Sequence, residues 1–456
     1  MEKLTFEEIV KAVDGKIIIN NNFYKYNYVS TDTRKICENS IFIALKGENF
    51  NGNNYIIEAS KKGANLCIVD EVNFKNHELQ DFTSVILVED TRKALLDLAE
   101  YYRKKLRVKV IGITGSTGKT STKDLTAAAL SSKFKVFKTK GNFNNEIGLP
   151  LMIFELDNSY DVAVLEMGMS DFGEIHRLAK TARPDIAMIT NIGISHIENL
   201  KTRENILKAK MEITDFFTED SVLIINSEND LLSTVQEKNY KLIKTGINGE
   251  VDYKAENIEL GESYVKFSLE NDNKEVEFKI DVPGKHNVLN ALLAIASGRV
   301  LDIDYDELKE GIKNLTVTSM RLDIVKSNNY TIIDDCYNAS PDSMKAALEV
   351  MNTLKGNRKI AVLGTMRELG DESHKAHKEI GEYAAKMGVD KLLAIGDYNS
   401  SYKEGFNNDD NFKMFSSNED AIRYLEKHIK DEDIILVKAS RSMKFEEIVK
   451  KLKLSN

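Results

Sequence analysis

Short uninterrupted apolar runs alternate along this chain with segments whose apolar residues return every three or four positions. "SIFIAL" and "NLCIVDE" predict buried strands, and "NYIIEASKKG" between them predicts a helix closed by Gly63. "TRKALLDLAEYYRKKL", from Thr91, has the spacing of an amphipathic helix. From Arg107 the runs "VKVIGIT", "DVAVLEM", "DIAMITNI" and "SVLIINSE" are apolar throughout, as strands of a parallel sheet covered on both faces are. "YVKFSLENDNKEVEFKIDV" places a polar turn between two alternating runs and predicts a hairpin; "NVLNALLAIASGRVL" predicts a buried helix. Past Thr318 a second βα series begins, with "YTIIDD", "KIAVLG", "KLLAIG" and "DIILVKAS" as strands. The pattern predicts an α/β protein of three domains, at 1–106, 107–317 and 318–456.

Composition agrees: 456 residues, 42% hydrophobic and 30% charged, supply several cores. The net charge of −9 argues against a nucleic-acid partner, although a local nest of amides and lysines still accepts an anionic nucleotide. No run approaches the roughly 18 apolar residues of a membrane span, and "MEKLTFEEIVKAV" lacks the plan of a secretory signal. Cys37, Cys67 and Cys336 are too scattered for a disulfide framework or a zinc site and fit a reducing cytoplasm. A cytoplasmic monomer is the expectation.

The candidate chemistry starts at "VIGITGSTGKTSTKDL", 110–125. A phosphate loop of the form G-x-x-x-x-G-K-[ST] would put its first glycine at Ile113; the glycines fall at 112, 115 and 118 instead. The context still suits phosphate, because the loop leaves a strand and opens a helix. Gly115, Ser116, Thr117 and Gly118 would turn amides toward phosphate, Lys119 would reach the distal phosphates, and Thr120, followed by Ser121, would offer a hydroxyl to Mg²⁺. The plainer reading is a glycine turn before a helix. "GNFNNEIGLP", with Asn142, Asn144 and Asn145, is by itself a turn. Glu166 ends a buried strand, where a metal, a cation or solvent must offset its charge. His196 in "TNIGISHIENL" follows the same layout, though a lone histidine is more often structural. Lys210 in "AKMEI" lies on an amphipathic helix, where a solvated lysine is the ordinary case. His374 and His377, three apart on a helix, read as a solvated face.

"TGSTGKT", "GNFNNEIGLP", "EMGMS", "TNIGISHIE", "AKMEI", "GKHNVLNALLA", "DDCYNASPDSM" and "VKASRSM" occur in the order seen in the Mur ligases, and nearly the whole chain resembles that family. G-x-x-G-x-x-G-K-[ST] is the family's own form of the loop. The resemblance implies an N-terminal α/β UDP-substrate domain, a central P-loop ATPase domain with a parallel sheet, and a C-terminal Rossmann-like domain. It implies ATP-driven amide ligation through an acyl phosphate, with two Mg²⁺ sites. "STDTR", "IFIALKG", "GNFNNEIG" and "YNASPDSM" point to the branch that joins D-alanyl-D-alanine to UDP-N-acetylmuramoyl-tripeptide. Another Mur-type or folylpolyglutamate-type ligase is the alternative; a P-loop switch or motor would need a more standard loop.

By the same resemblance, Lys119 binds the β- and γ-phosphates, and Thr120, Glu166 and His196 serve the metal sites. Lys210 matches a lysine carried as a carbamate, with Lys208 two residues away. Asn287 falls near the base, and Arg321 and Asp335 reach the nucleotide phosphate and ribose, with Tyr337, Asn338 and Ser340 on the same loop. Ser30, Thr31, Asp32, Thr33, Arg34 and Lys46 would hold the UDP end; Asn142, Asn144, Asn145 and Asn338 would contact substrate. Arg441 is the carboxylate clamp for the incoming dipeptide and Lys438 a weaker one. As isolated segments, "STDTR" is also a polar turn, "SPDS" a capping box and Asn287 a helix cap. Thr365 and Arg367 depart from the family pattern, so no role is carried onto Thr365.

Overall fold

The structure, a computed structural model, describes residues 1–21, 26–271, 274–327 and 329–454. It is a mixed α/β molecule of three units, each built on its own sheet. In the N-terminal unit five strands lie in the order Lys16–Ile19, Ser84–Leu87, Ala64–Val69, Ser40–Ile43, Tyr28–Ser30, parallel except for the first. Helix Thr91–Lys105 starts where the Asp90 carboxylate accepts from the amides of Arg92 (2.7 Å) and Lys93 (3.1 Å). Its apolar stripe of Ala94, Leu95, Leu98 and Tyr102 is buried. The same helix grips the next unit: Tyr102 Oη donates to Leu156 O (2.6 Å), Arg103 Nε donates to Ala182 O (2.9 Å), and Glu100 pairs with Arg183 (2.7 Å). One continuous core runs from Leu4 and Ile9 through Leu98 to Met152, Leu178 and Ile213, across the boundary between the two units.

The central sheet has seven parallel strands, ordered Tyr253–Lys254, Lys241–Gly246, Val222–Asn226, Ile186–Ile189, Lys109–Thr114, Val162–Glu166, Val136–Lys138. Lys109–Thr114 is the first of these in the chain, yet it lies inside the sheet. The chain runs to one side of it and then to the other, which opens a crevice at the strand's carboxyl end. One face is covered by helices Lys119–Leu130 and Lys285–Val300. The second is apolar nearly all round because it lies between this sheet and a smaller antiparallel one, whose Phe267 and Phe278 stack at 5.7 Å. That smaller sheet contains the expected hairpin, Val265–Asn271 and Lys274–Ile280, plus a third strand, Glu256–Leu260.

The C-terminal sheet runs Asp323–Lys326, Tyr330–Asp334, Asp433–Lys438, Arg358–Gly364, Lys391–Ile395, Phe412–Phe415, parallel except for the first. Its two cores draw on residues from 320 onward, with Ile194 of the central unit packed against one of them. Strands whose apolar runs are unbroken match the sequence pattern. Val136–Lys138, Asp323–Lys326 and Phe412–Phe415 have no long run because each is a sheet edge with part of its surface exposed, and the edge strand Lys16–Ile19 has only Ile17 to Ile19. Among the described residues no helix is long and apolar enough to cross a membrane, and the three cysteines are unpaired.

Candidate active site

The glycine loop leaves Lys109–Thr114 and its last glycine begins helix Lys119–Leu130. Gly112 is a strand residue, and a Cβ there would meet Met167 Cε at 3.1 Å, so it serves sheet packing. Gly115 and Gly118 shape the loop itself. Their φ values are 152° and 81°, and a Cβ would stand 1.8 Å from Thr190 Oγ1 at the first and 2.9 Å from Asn290 Oδ1 at the second. The neighbouring strand end fixes the loop: Ser116 N donates to Asn191 O (3.0 Å), Thr117 N to Asn191 Oδ1 (2.7 Å), and Thr190 Oγ1 to Thr117 O. Lys119 Nζ folds back onto Gly115 O at 2.6 Å. The residue as a whole keeps partial exposure, but its ammonium is enclosed; burial, with Glu166 opposing and Arg321 assisting, brings it down to about 8.

Glu166 is 1% exposed at the end of its strand. Its Oε2 accepts from Thr120 Oγ1 at 3.3 Å and lies 3.5 Å from Asn144 Nδ2. Its Oε1 has no hydrogen-bond partner, and Lys123 Nζ stands 3.4 Å away. A buried carboxylate oxygen left free beside a hydroxyl fits a hard cation such as Mg²⁺. Among the described residues no three His, Cys, Asp or Glu side chains form a complete metal cage, as expected where substrate phosphates supply the remaining ligands. His196 sits in left-handed backbone, φ 64°, with Nδ1 2.6 Å from Glu368 Oε2 across the gap to the C-terminal unit. That is ion-pair distance, but the ring is not aligned for a regular hydrogen bond. The ring holds the Glu368 carboxyl below its usual range.

Lys210 is 1% exposed, which corrects the solvated reading, and among the described residues no carboxylate lies within 4.0 Å of it. Burial and then repulsion from Lys119 push its ammonium well below the ordinary lysine value, so its amine is readily neutral. Lys208 is exposed, its Nζ 5.9 Å from the centre of the Phe172 ring, which separates the two lysines.

A cavity of about 1090 Å³ joins these groups to the C-terminal unit. Ser116 to Ser121, Asn142, Asn144, Asn145, Glu166 and His196 line one side; Arg321, Asp335, Tyr337, Asn338 and Arg441 line the other, with Asn287 between. Arg321 Nη2 donates to Thr120 Oγ1 (3.3 Å) while its buried Nε has no partner, and its guanidinium lies 4.1 Å from the centre of the Tyr337 ring. Arg441, half exposed, sits 5.8 Å from that ring and 3.2 Å from Glu446.

Other residues carry local duties. Asn145 Oδ1 caps helix Gly148–Phe154 through the Gly148 amide (2.8 Å). Asn287 Nδ2 donates to Pro283 O (2.7 Å), whereas His286, half-buried in the same wall, keeps an enclosed, unpartnered Nδ1 and is pushed down to about 4 by burial. Lys438 is committed to Asp335 (2.5 Å) and to Asn338 O (3.0 Å), so the weaker clamp is spent inside the protein.

Ser30, Thr31, Asp32, Arg34 and Lys46 are not among the cavity's lining residues. Asp32 caps the turn Thr33–Lys35 and pairs with Arg34 (2.8 Å), and Lys46 pairs with Glu71 (2.6 Å). His377 corrects the solvated-face expectation. It is fully buried, accepts from Met366 N at Nε2 (2.9 Å) and donates from Nδ1 to Ser373 O (2.6 Å); only His374 is exposed. Thr365, 1% exposed, accepts from Asp397 N (3.1 Å), and Arg367 pairs with Asp397 (2.9 Å). Sequence reasoning passed over Lys123 and Asp124, polar residues inside a helix that another unit covers. A four-residue step from Lys119 to Lys123 was the only signal.

Fold and site together define an α/β enzyme scaffold with a nucleotide cradle facing a second, separately packed unit. Family models describe the same three units: the Mur ligase family catalytic domain matches residues 25–103, the Mur ligase middle domain 113–298, and the Mur ligase glutamate ligase domain 320–441. The UDP-N-acetylmuramoyl-tripeptide–D-alanyl-D-alanine ligase of Bacillus subtilis is 40% identical, over 99% of both chains. The crystal structure of MurF from Acinetobacter baumannii superposes with a TM-score of 0.91 at 29% identity, covering 99% of each chain. MurF ligase from Thermotoga maritima, in complex with ADP, gives 0.83 at 28% identity over 94% of this chain and 97% of its own. The chain belongs to the Mur ligase family.

Proposed function

We propose that this protein is the ATP-dependent ligase that joins D-alanyl-D-alanine to UDP-N-acetylmuramoyl-tripeptide in peptidoglycan precursor synthesis, releasing ADP and phosphate. The observation that carries the reading is the single cavity lined by both the phosphate cradle and the Arg321–Tyr337–Arg441 wall. A carboxylate activated on one side meets its amine on the other without crossing solvent. The whole-chain likeness to ligases of that name supports the substrates.

The tripeptide carboxylate attacks the γ-phosphorus and ADP leaves; the amine of the dipeptide then attacks the acyl carbon and expels phosphate. The first step crowds negative charge, and the chain answers with fixed cations and dipoles. Loop amides from Gly115 to Ser121 cradle the phosphates, and Lys119 turns from Gly115 O to the β- and γ-phosphates. Arg321, with its free Nε, neutralises the group in transfer. Asp335 and Asn287 flank the nucleoside. Thr120 and Glu166 would hold one Mg²⁺ and His196 would serve a second; a metal there would supply charge that screens phosphate and acyl oxygens from each other. Lys210, as a carbamate, would present an anion where an ammonium would repel a metal. Asn142, Asn144, Asn145 and Asn338 contact the peptide, and Arg441 fixes the dipeptide carboxylate. Ser30, Thr31, Asp32, Arg34 and Lys46 hold the UDP end in the N-terminal unit. The working form is a cytoplasmic monomer with domains at 1–106, 107–317 and 318–456.

Purified protein given ATP, Mg²⁺, UDP-N-acetylmuramoyl-tripeptide and D-alanyl-D-alanine should release ADP and phosphate only when both peptides are present, and ¹⁸O from the tripeptide acid should appear in the phosphate. ATP consumption without either peptide would support a switch-type NTPase instead.

A further inference from the structure

The linker between the central and C-terminal units is tied into the cradle by a closed ring of contacts. Glu166 Oε1 lies 3.4 Å from Lys123 Nζ, which lies 3.4 Å from Asp124 Oδ1. Asp124 Oδ2 accepts from both the amide (2.9 Å) and the hydroxyl (2.7 Å) of Thr318, in the linker. Three residues on, Arg321 Nη2 donates to Thr120 Oγ1 (3.3 Å), and Thr120 Oγ1 donates to Glu166 Oε2 (3.3 Å), closing the ring. Lys123 and Asp124 are 2% and 3% exposed, so their ends of these contacts lie away from water, where an unmade one is costly, while Thr318 and Arg321 are half-buried. Lys138, 2.6 Å from Asp124, supplies the second cation that balances the two carboxylates, and Lys123 Nζ also donates to Thr139 O (3.2 Å).

We propose that Asp124, held by Lys123, is a positioning residue that anchors the hinge at Thr318, so that Arg321 arrives at the phosphate edge of Thr120 each time the C-terminal unit closes. The anchor touches no substrate. It acts by fixing one end of the linker on the helix that opens from the cradle, leaving the other end to swing. The proposal rests on the reading of the glycine loop as the nucleotide site.

The test uses Thr318→Val and Thr318→Ser in the full chain, since Asp124→Asn would strand the buried Lys123 and the half-buried Lys138. Thr318→Val should lower kcat about tenfold, the effect of losing one hydrogen bond to a buried carboxylate, with ADP affinity within about twofold. Spin labels at Asp220→Cys and Asn408→Cys in a Cys37→Ser background should show a broader distance distribution with nucleotide and both peptides bound. Thr318→Ser should restore both. Wild-type kcat and an unchanged distribution in Thr318→Val would overturn the anchor, as would a serine variant as defective as valine. If the wild-type chain does not ligate at all, the functional reading fails instead, and the distances with ADP then decide the anchor alone.

Discussion

Replacing Gly115 by alanine perturbs the cradle at the point where its geometry is least forgiving. The new Cβ would lie 1.8 Å from Thr190 Oγ1, 3.1 Å from Thr190 Cβ and 3.2 Å from Thr190 N, at a φ of 152°. Two costs follow. An L-side chain in that backbone region carries about 1–3 kcal/mol of strain. Moving the Thr190 hydroxyl also breaks its bond to Thr117 O, which costs about 1 kcal/mol. A loop relaxing to escape roughly 2–4 kcal/mol abandons the shape that phosphate requires, so ADP affinity should fall roughly 30- to 700-fold. Titration calorimetry reads this directly. The double variant Gly115→Ala/Thr190→Ala keeps the strain and lacks the same Thr190–Thr117 bond, so it should bind no more weakly than Gly115→Ala alone. Wild-type affinity in Gly115→Ala, or a double variant as weak as the sum of its parts, would refute the reasoning.

Lys119, brought down to about 8 from an ordinary 10.5, makes nucleotide binding depend on pH. Bound phosphate favours the ammonium, so binding should take up a proton near pH 8 and weaken above it, seen as buffer-dependent binding heat; in the free protein the sign reverses, and Lys119 adds stability as pH rises from about 8 to 10.5, where the unfolded chain holds the extra proton. Lys210→Ala should lose activity by about 10²–10³-fold, with partial rescue by short carboxylic acids, while Lys208→Ala stays active. A ¹³C carbamate signal after ¹³CO₂ exposure of the wild type, absent in Lys210→Ala, is the matching spectroscopic check. Arg441→Ala should raise KM for D-alanyl-D-alanine about 10- to 150-fold and leave KM for ATP unchanged in steady-state assays, as loss of a charge-assisted carboxylate contact predicts.

What was legible in the sequence follows from periodicity. Lys109–Thr114, Val162–Glu166 and Ile186–Ile189 are interior parallel strands, buried on both faces, so their apolar runs are unbroken. Loop chemistry is local too, and "GSTGKT" announced its cradle. Burial imposed from a distance was not legible. Asp124 lies in what a helical wheel would make a polar stretch, "KTSTKD", yet Thr318, 194 residues on, covers it. His377 looks like a helix-surface residue until Met366, at the end of a strand, turns its amide toward the ring. Lys208 and Lys210 cannot be told apart by spacing over so short a helix; only packing against the rest of the unit puts one inside and the other out. The edge strands failed for the opposite reason, since half their surface meets water and no apolar run is needed.

The core that runs unbroken from Leu4 to Ile213 also constrains how such a protein can be rebuilt. Exchanging the N-terminal third for a relative's would tear open apolar surface on the middle third, so on the proposed reading the donor end of the substrate is specified by both together. The last third brings its own two cores, so on the proposed reading transplanting it should change which amine is accepted, provided that Arg321 and Asp335, which face the cradle from that side, are kept.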